Sequence, residues 1–134
     1  MDLRIKEIVE SFRAGEEESA FFTLIELNGD VLPALAEIFR QETNPHIRAL
    51  LVKAAWERRD NAVIPFLGEV LNGAEEEAWQ QALDGLVAFA SPDAYEILVA
   101  ARTRAFNDVS STNRFRLWLE EAIVQVELEL RSKP

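Results

Sequence analysis

Apolar residues recur every three or four positions along most of the chain, which is the spacing of one face of an α-helix. The first such stretch has its apolar side chains at i, i+3, i+4 and i+7: Ile5, Ile8, Val9 and Phe12. A second stretch spans 19–27, and Gly15 and Gly29 follow the two stretches as stop signals. Apolar and polar residues do not alternate over a useful length, so strands are not expected. The pattern predicts an all-α protein.

Two later stretches share one pattern, which indicates an internal repeat. Residues 31–39 and 63–71 both read Val, Leu or Ile, Pro, any residue, Leu, any residue, Glu, Ile or Val, then Phe or Leu. Pro33 and Pro65 lie 32 positions apart, a repeat length typical of helical arrays. A weaker third copy follows, with Glu96 in place of the proline. Three leucines hold equivalent positions and are predicted to face the core: Leu35, Leu67 and Leu98.

Proline and capping residues mark further helix starts, because a proline at the first helical position gives up no hydrogen bond. Two such starts are predicted: Asn44-Pro45 and Ser91-Pro92. Another long helix is expected from about Ala74. The polar segment 107–113 is interpreted as the longest loop, and a closing helix is predicted over 111–131, with 131–134 frayed.

The stretch 60–67, Asp-Asn-Ala-Val-Ile-Pro-Phe-Leu, resembles the second helix of HEAT repeats, in which a capping residue precedes a Val-x-Pro-x-Leu-like start. The resemblance covers about 19–104, with 1–15 and 111–131 as capping helices. It implies one domain over 1–134, a short right-handed α–α superhelix of about three helical hairpins. Proteins of this family mostly serve as scaffolds or protein-binding modules, whereas a minority bind nucleic acid or cofactors and a few are enzymes.

The charge balance narrows the choice of partner. The chain has 14 lysines and arginines against 24 aspartates and glutamates, a net charge of −10. Such a surface repels phosphate backbones, so nucleic acid is not an expected partner. It suits a basic protein, although an acidic surface also serves solubility alone.

The composition also excludes several kinds of site and location. Without cysteine, the chain forms no disulfide and no thiolate metal site. No apolar run reaches the ~18 residues of a membrane span, and residues 1–4 lack the apolar core of a signal peptide. We therefore expect a cytoplasmic protein without a membrane partner.

Candidate contact residues follow from the repeat, because the second helices of such hairpins line the concave face. The polar positions expected there are Glu37, Arg40, Glu69, Asn72 and Glu96. Among the tryptophans, Trp79 is the best candidate for a partner contact, and Trp56 and Trp118 are expected in the core, although the core is the more common place for all three. His46, the one histidine, is interpreted as an ordinary solvated residue, so no catalytic, cofactor or metal site is predicted.

Two acidic runs, 16–18 and 75–77, lie at predicted helix starts, where carboxylates stabilise the positive end of the helix dipole. An acidic docking patch is the alternative interpretation of these runs.

The leading hypothesis for function is a non-enzymatic protein-binding module. Its most specific version is an immunity protein that neutralises a basic toxin domain. The alternatives are a HEAT-like enzyme or accessory of lyase type, and a scaffold subunit of a larger assembly. A DNA glycosylase is disfavoured, since it needs a basic groove.

Overall fold

A computed structural model describes residues 3–132, which form eight α-helices joined by short connections. The helices are α1 (Leu3–Arg13), α2 (Glu17–Glu26), α3 (Leu32–Gln41), α4 (Pro45–Glu57), α5 (Ile64–Leu71), α6 (Glu76–Phe89), α7 (Pro92–Ala100) and α8 (Val109–Ser132). Single 3₁₀ turns, Asn61–Val63 and Ala101–Thr103, precede α5 and follow α7. Residues 3–132 contain no strand, so the prediction of an all-helical fold is confirmed.

The predicted start and stop signals act through backbone hydrogen bonds and dihedral angles. Asn44 Oδ1 accepts a hydrogen bond from the N–H of Ile47 at 3.1 Å, one of the donors that a helix leaves free at its N-terminus. Ser91 Oγ accepts in the same way from Ala94 at 3.2 Å. Gly15 ends α1 with a φ of 88°, a conformation that residues with a Cβ rarely adopt. These three helix ends were predicted correctly.

The closing helix α8 begins earlier than predicted and takes up most of the segment 107–113. Asp108 caps it, because its carboxylate accepts hydrogen bonds from the backbone N–H of Ser111 at 2.7 Å and from the hydroxyl of Ser111 at 2.9 Å. The loop prediction was wrong because the same polar residues also favour a helix cap and first turn. Arg131 and Ser132 are helical rather than frayed, and 133–134 lie outside the described residues.

The helices form two rows that alternate along the chain. The first-helix row contains α2, α4, α6 and α8, which contact one another in that order. The second-helix row contains α3, α5 and α7; α1 packs beside α3, and α5 contacts α7. Phe39 on α3 meets Phe66 on α5 edge to face, with ring centroids 5.4 Å apart. The two stretches with the shared proline pattern therefore lie next to each other.

One apolar cluster extends through both rows from Ile5 to Val126. The three equivalent leucines, Leu35, Leu67 and Leu98, are each 0% exposed, which confirms their predicted inward orientation. Helix α6 lies at the centre, since it contacts α4, α5, α7 and α8.

Arginines at or near helix ends donate hydrogen bonds to the last carbonyl groups of other helices. Arg58, at the end of α4, donates hydrogen bonds to the carbonyl groups of Leu24 at 3.1 Å and Ile25 at 2.9 Å, in the last turn of α2. Arg104 donates to the carbonyl of Leu71, the last residue of α5. The last carbonyl groups of a helix have no hydrogen-bond donor within the helix and carry partial negative charge. A guanidinium supplies both the donor and the compensating positive charge.

Candidate functional site

The polar residues predicted for the contact surface lie on the second-helix row. Glu37 and Arg40 belong to α3, Glu69 to α5 and Glu96 to α7, and Asn72 directly follows α5. All five are exposed to solvent. All five side chains are therefore accessible to a partner at this row.

The structure joins two of these residues in an ion pair that the sequence did not indicate. The guanidinium of Arg40 donates to Glu69 through Nε at 2.8 Å and through Nη2 at 2.7 Å. The hydrogen bonds from Arg40 lower the pKa of Glu69, and those to Glu69 raise the pKa of Arg40. The centre of the row is therefore locally neutral. Two of the other predicted residues, Glu37 and Glu96, form no ion pair with a described residue, although Arg40 also attracts Glu37 electrostatically.

A groove of about 640 Å³ separates α5 from α7. Gly68 lies on the α5 wall of the groove, and a Cβ at this position would be in ordinary contact, at 3.4 Å, with the side chain of Ile97 on α7. Pro65, Ile97 and Ala100 contribute apolar surface, while Asn72 and Glu96 stand at the rim. Two of the predicted contact residues thus border a concave, partly apolar surface.

Sequence reasoning missed two residues of the same rim, Asn61 and Asp93. Asp93 lies in the first turn of α7, where its carboxylate stabilises the helix N-terminus. Its spacing of three residues from Glu96 places both on one side of the helix, and this spacing could have indicated a shared role. For Asn61, which opens a 3₁₀ turn, the sequence offered no comparable signal.

Comparison with known proteins leaves these side chains as the basis for any functional inference. No family model matches the chain. Neither a curated protein nor a solved structure matches it. None of the helices formed by the described residues has the length and apolar character of a membrane span.

Two of the three tryptophans differ from their predicted roles. Trp79 is only 2% exposed and meets Phe115 edge to face at 5.1 Å, so its selection as a partner-contact residue was wrong. Helix α6, which carries Trp79, packs against α4, α5, α7 and α8. More of its circumference is therefore buried than the single apolar stripe seen in the sequence. Trp118 is 41% exposed, which corrects its assignment to the core. Trp56 is half-buried and donates from Nε1 to Gln81 at 3.4 Å.

A second groove, of about 460 Å³, lies between α1 and α3. Its wall includes Glu42, the one charged residue among 3–132 that is buried, at 7% exposure. Burial raises the pKa of Glu42, but hydrogen bonds from Arg13 and from the N–H of Asn44 outweigh this effect, and the net pKa is lowered. The carboxylate is therefore fixed as an anion with its partners in place, as expected of a structural ion pair.

His46 is not an isolated solvated residue, because two helix N-termini place carboxylates at its ring. Nε2 lies 3.0 Å from Glu17 at the start of α2, and Nδ1 lies 3.5 Å from Glu77 at the start of α6. Hydrogen bonding to Glu17 is the largest cause of a raised pKa for His46. The two acidic runs thus meet around one histidine. Among the described residues, no group of three or more His, Asp or Glu side chains could hold a metal ion.

We expect the His46 imidazole to titrate with a pKa above its ordinary value of about 6.5. Because the folded-state pKa is raised, the stabilisation from its carboxylate partners is complete below the unfolded-state pKa and is lost as pH rises through the folded-state pKa. Proton NMR is well suited to the measurement, since one histidine gives one set of ring signals. Glu17→Gln should lower the measured pKa, whereas Glu18→Gln, a matched change in the same run, should leave it in place. An unshifted pKa in the unmodified protein would contradict the bridged geometry.

Proposed function

We propose that this protein binds a basic protein partner through its second-helix row and does not catalyse a reaction. The observation that carries the proposal is the groove between α5 and α7, which combines apolar surface at Pro65 and Ile97 with carboxylates at Asp93 and Glu96. Protein interfaces commonly combine an apolar centre with a polar, solvated rim. The groove offers this combination on the surface that the repeat pattern had already indicated.

The charge of the chain supports a basic partner. A net charge of −10 attracts cationic molecules over a distance, which raises the rate at which they meet the protein. On the second-helix row Glu37 and Glu96 are exposed and form no ion pair with a described residue, so both carboxylates are accessible to a partner, although Arg40 also attracts Glu37. The Arg40–Glu69 pair between them contributes shape and hydrogen bonding rather than net charge.

The proposal extends to the architecture. Alternating contacts between the two rows, together with the offset of 32 residues between the proline-containing stretches, support a HEAT-like right-handed superhelix. In such an array, α3, α5 and α7 form the concave surface. A helical array of this kind presents a continuous, rigid surface suited to an extended partner.

The most specific form of the proposal is a cytoplasmic immunity protein that neutralises a basic toxin domain, which fits the acidity of the chain. A scaffold subunit is the second candidate, favoured by the exposed apolar residues on α8. The groove between α5 and α7 does not favour a lyase or its accessory, because its titratable side chains are only Asp93 and Glu96.

Affinity capture from the native host tests this function. The immobilised protein should enrich a basic protein, and the double variant Glu37→Lys/Glu96→Lys should capture about tenfold less of it because the attractive charge is reversed. Quantitative mass spectrometry of the captured proteins provides the measurement. Folding should be unaffected, since substitutions at exposed positions usually change stability by no more than about 0.5 kcal/mol.

The matched control is Glu18→Lys/Glu26→Lys, which makes the same change in net charge on α2, in the first-helix row. Both control residues are exposed. The control should capture the partner nearly as well as the unmodified protein. Equal losses in both variants would indicate non-specific charge attraction, and an acidic partner or a nucleic acid would contradict the proposal altogether.

A further inference from the structure

Helix α8 is apolar on two opposite faces. Its inner face is buried against α6 and α7 through residues that include Phe115, Leu119 and Val126. On its outer face Leu117 is 73% exposed, Val124 52% and Leu128 59%, and no described residue covers them. With Glu121 they follow spacings of four, three and four residues, the spacing by which one helix packs along another. This outer stripe is therefore shaped to receive a second helix.

A small pocket opens beside the outer stripe, between α6 and α8. It has a volume of about 150 Å³, below the roughly 300 Å³ at which small-molecule sites begin, so it suits a single side chain. Its walls include the half-exposed ring of Trp118 and the carboxylates of Asp84 and Glu121. Neither carboxylate forms a hydrogen bond or an ion pair with a described residue. Asp84 is exposed on the surface, but partial burial of its carboxylate raises its pKa, and the attraction of Lys53 opposes this shift.

An aromatic ring next to unpaired carboxylates is a favourable environment for a cation, because the ring face and the carboxylates attract the same charge. The middle of α8 is also acidic, although Arg102 pairs with Glu120. Between Leu117 and Leu130, α8 carries four glutamates and no lysine or arginine. A second copy of this chain is therefore a poor occupant, since it would bring the same acidic stripe and a further net charge of −10.

We infer that the outer face of α8 is a second docking surface, and that its occupant is a basic amphipathic helix of a partner protein. Apolar side chains of that helix would lie along Leu117, Val124 and Leu128, and one lysine or arginine would enter the pocket beside Trp118. Leu117 and Leu128 lie eleven positions apart, about 17 Å along the helix, so roughly three turns of the partner make contact. This surface is separate from the second-helix row, and its occupancy does not depend on the function proposed for that row.

A synthetic peptide of roughly 20 residues, with leucines spaced by three and four and lysines flanking them, provides the probe. Fluorescence anisotropy of the labelled peptide measures its affinity for the full chain. Leu117→Ser/Leu128→Ser should weaken binding about tenfold or more, because two apolar contacts are lost. Glu121→Lys should weaken it by a similar factor, and a peptide with glutamates in place of the lysines should bind at least about tenfold more weakly than the lysine peptide.

Phe22→Ser is the control, because Phe22 is 54% exposed on α2, away from α8. This variant should bind the lysine peptide as the unmodified protein does. No binding by the unmodified protein, or equal weakening in Phe22→Ser, would overturn the inference. Sedimentation velocity supplies a second test: a dimer of the unmodified protein that dissociates in Leu117→Ser/Leu128→Ser would identify a second copy as the occupant and would also overturn it.

Discussion

Replacing Leu67 by alanine should lower the free energy of unfolding by about 2–5 kcal/mol. Leu67 is 0% exposed on α5, and its side chain packs against the backbone of α6 near Gly85. The substitution removes buried apolar surface and leaves a cavity that helices packed on both sides cannot readily close. Since a domain of this size has roughly 5–15 kcal/mol of total stability, a loss of this size would be conspicuous in urea denaturation followed by circular dichroism.

The matched control is Leu117→Ala, the same substitution at a leucine that is 73% exposed. It should change stability by no more than about 0.5 kcal/mol. Leu35→Ala and Leu98→Ala should behave like Leu67→Ala, because all three leucines occupy equivalent buried positions. Losses below about 1 kcal/mol at all three buried positions would contradict the register of the helices.

Gly85→Ala should also destabilise the protein, although alanine is the better helix former. A Cβ added to Gly85 would lie 2.7 Å from Cγ of Trp56. It would also lie 2.9 Å from the Cβ of Trp56 and 2.9 Å from the Leu67 side chain. Overpacking of this kind typically costs about 1–3 kcal/mol, and the helix propensity of alanine returns at most about 1 kcal/mol. We therefore expect a net loss, measured in the same denaturation experiment.

Gly68→Ala provides the comparison within the same array. Gly68 is also inside a helix, but a Cβ there meets the side chain of Ile97 at 3.4 Å, which is within reach of ordinary contact. The gain in helix propensity should then dominate, and stability should stay constant or rise by up to about 1 kcal/mol. If both glycine variants were equally stabilised, the close approach of α6 to α4 and α5 would be wrong.

The sequence contains most of the information needed to place the helices. Helix starts at Asn44 and Ser91 depend on a cap and a proline within a few residues, and burial of Leu35, Leu67 and Leu98 follows from one repeated pattern. Signals of this kind act over a few residues, so the helix positions that they predict do not change when the helices pack together. The start of α8 was missed because Asp108 and the serines after it favour either a loop or a cap, and the choice depends on how the rest of the helix packs.

The surface depends on neighbours that the sequence does not specify. Arg40 and Glu69 pair across 29 residues only because α3 and α5 lie side by side in one register. Trp79 and Trp118 both stand among apolar helical positions, but α6 is surrounded by other helices whereas no described residue covers the outer side of α8. The width of the buried arc on each helix therefore decided which tryptophan is exposed. Periodicity alone gives the centre of that arc and not its width.

The association rate constant at two salt concentrations tests the binding role of the second-helix row most directly, once capture has supplied the partner. For the unmodified protein the rate should fall as salt rises, because ions screen charges beyond a Debye length of about 8 Å at physiological ionic strength. Glu37→Lys/Glu96→Lys should associate more slowly with a flatter salt dependence, while its dissociation rate changes little. Glu18→Lys/Glu26→Lys should behave like the unmodified protein. If this α2 control slows association more than the Glu37/Glu96 pair does, the partner binds elsewhere and the second-helix row is not the contact surface.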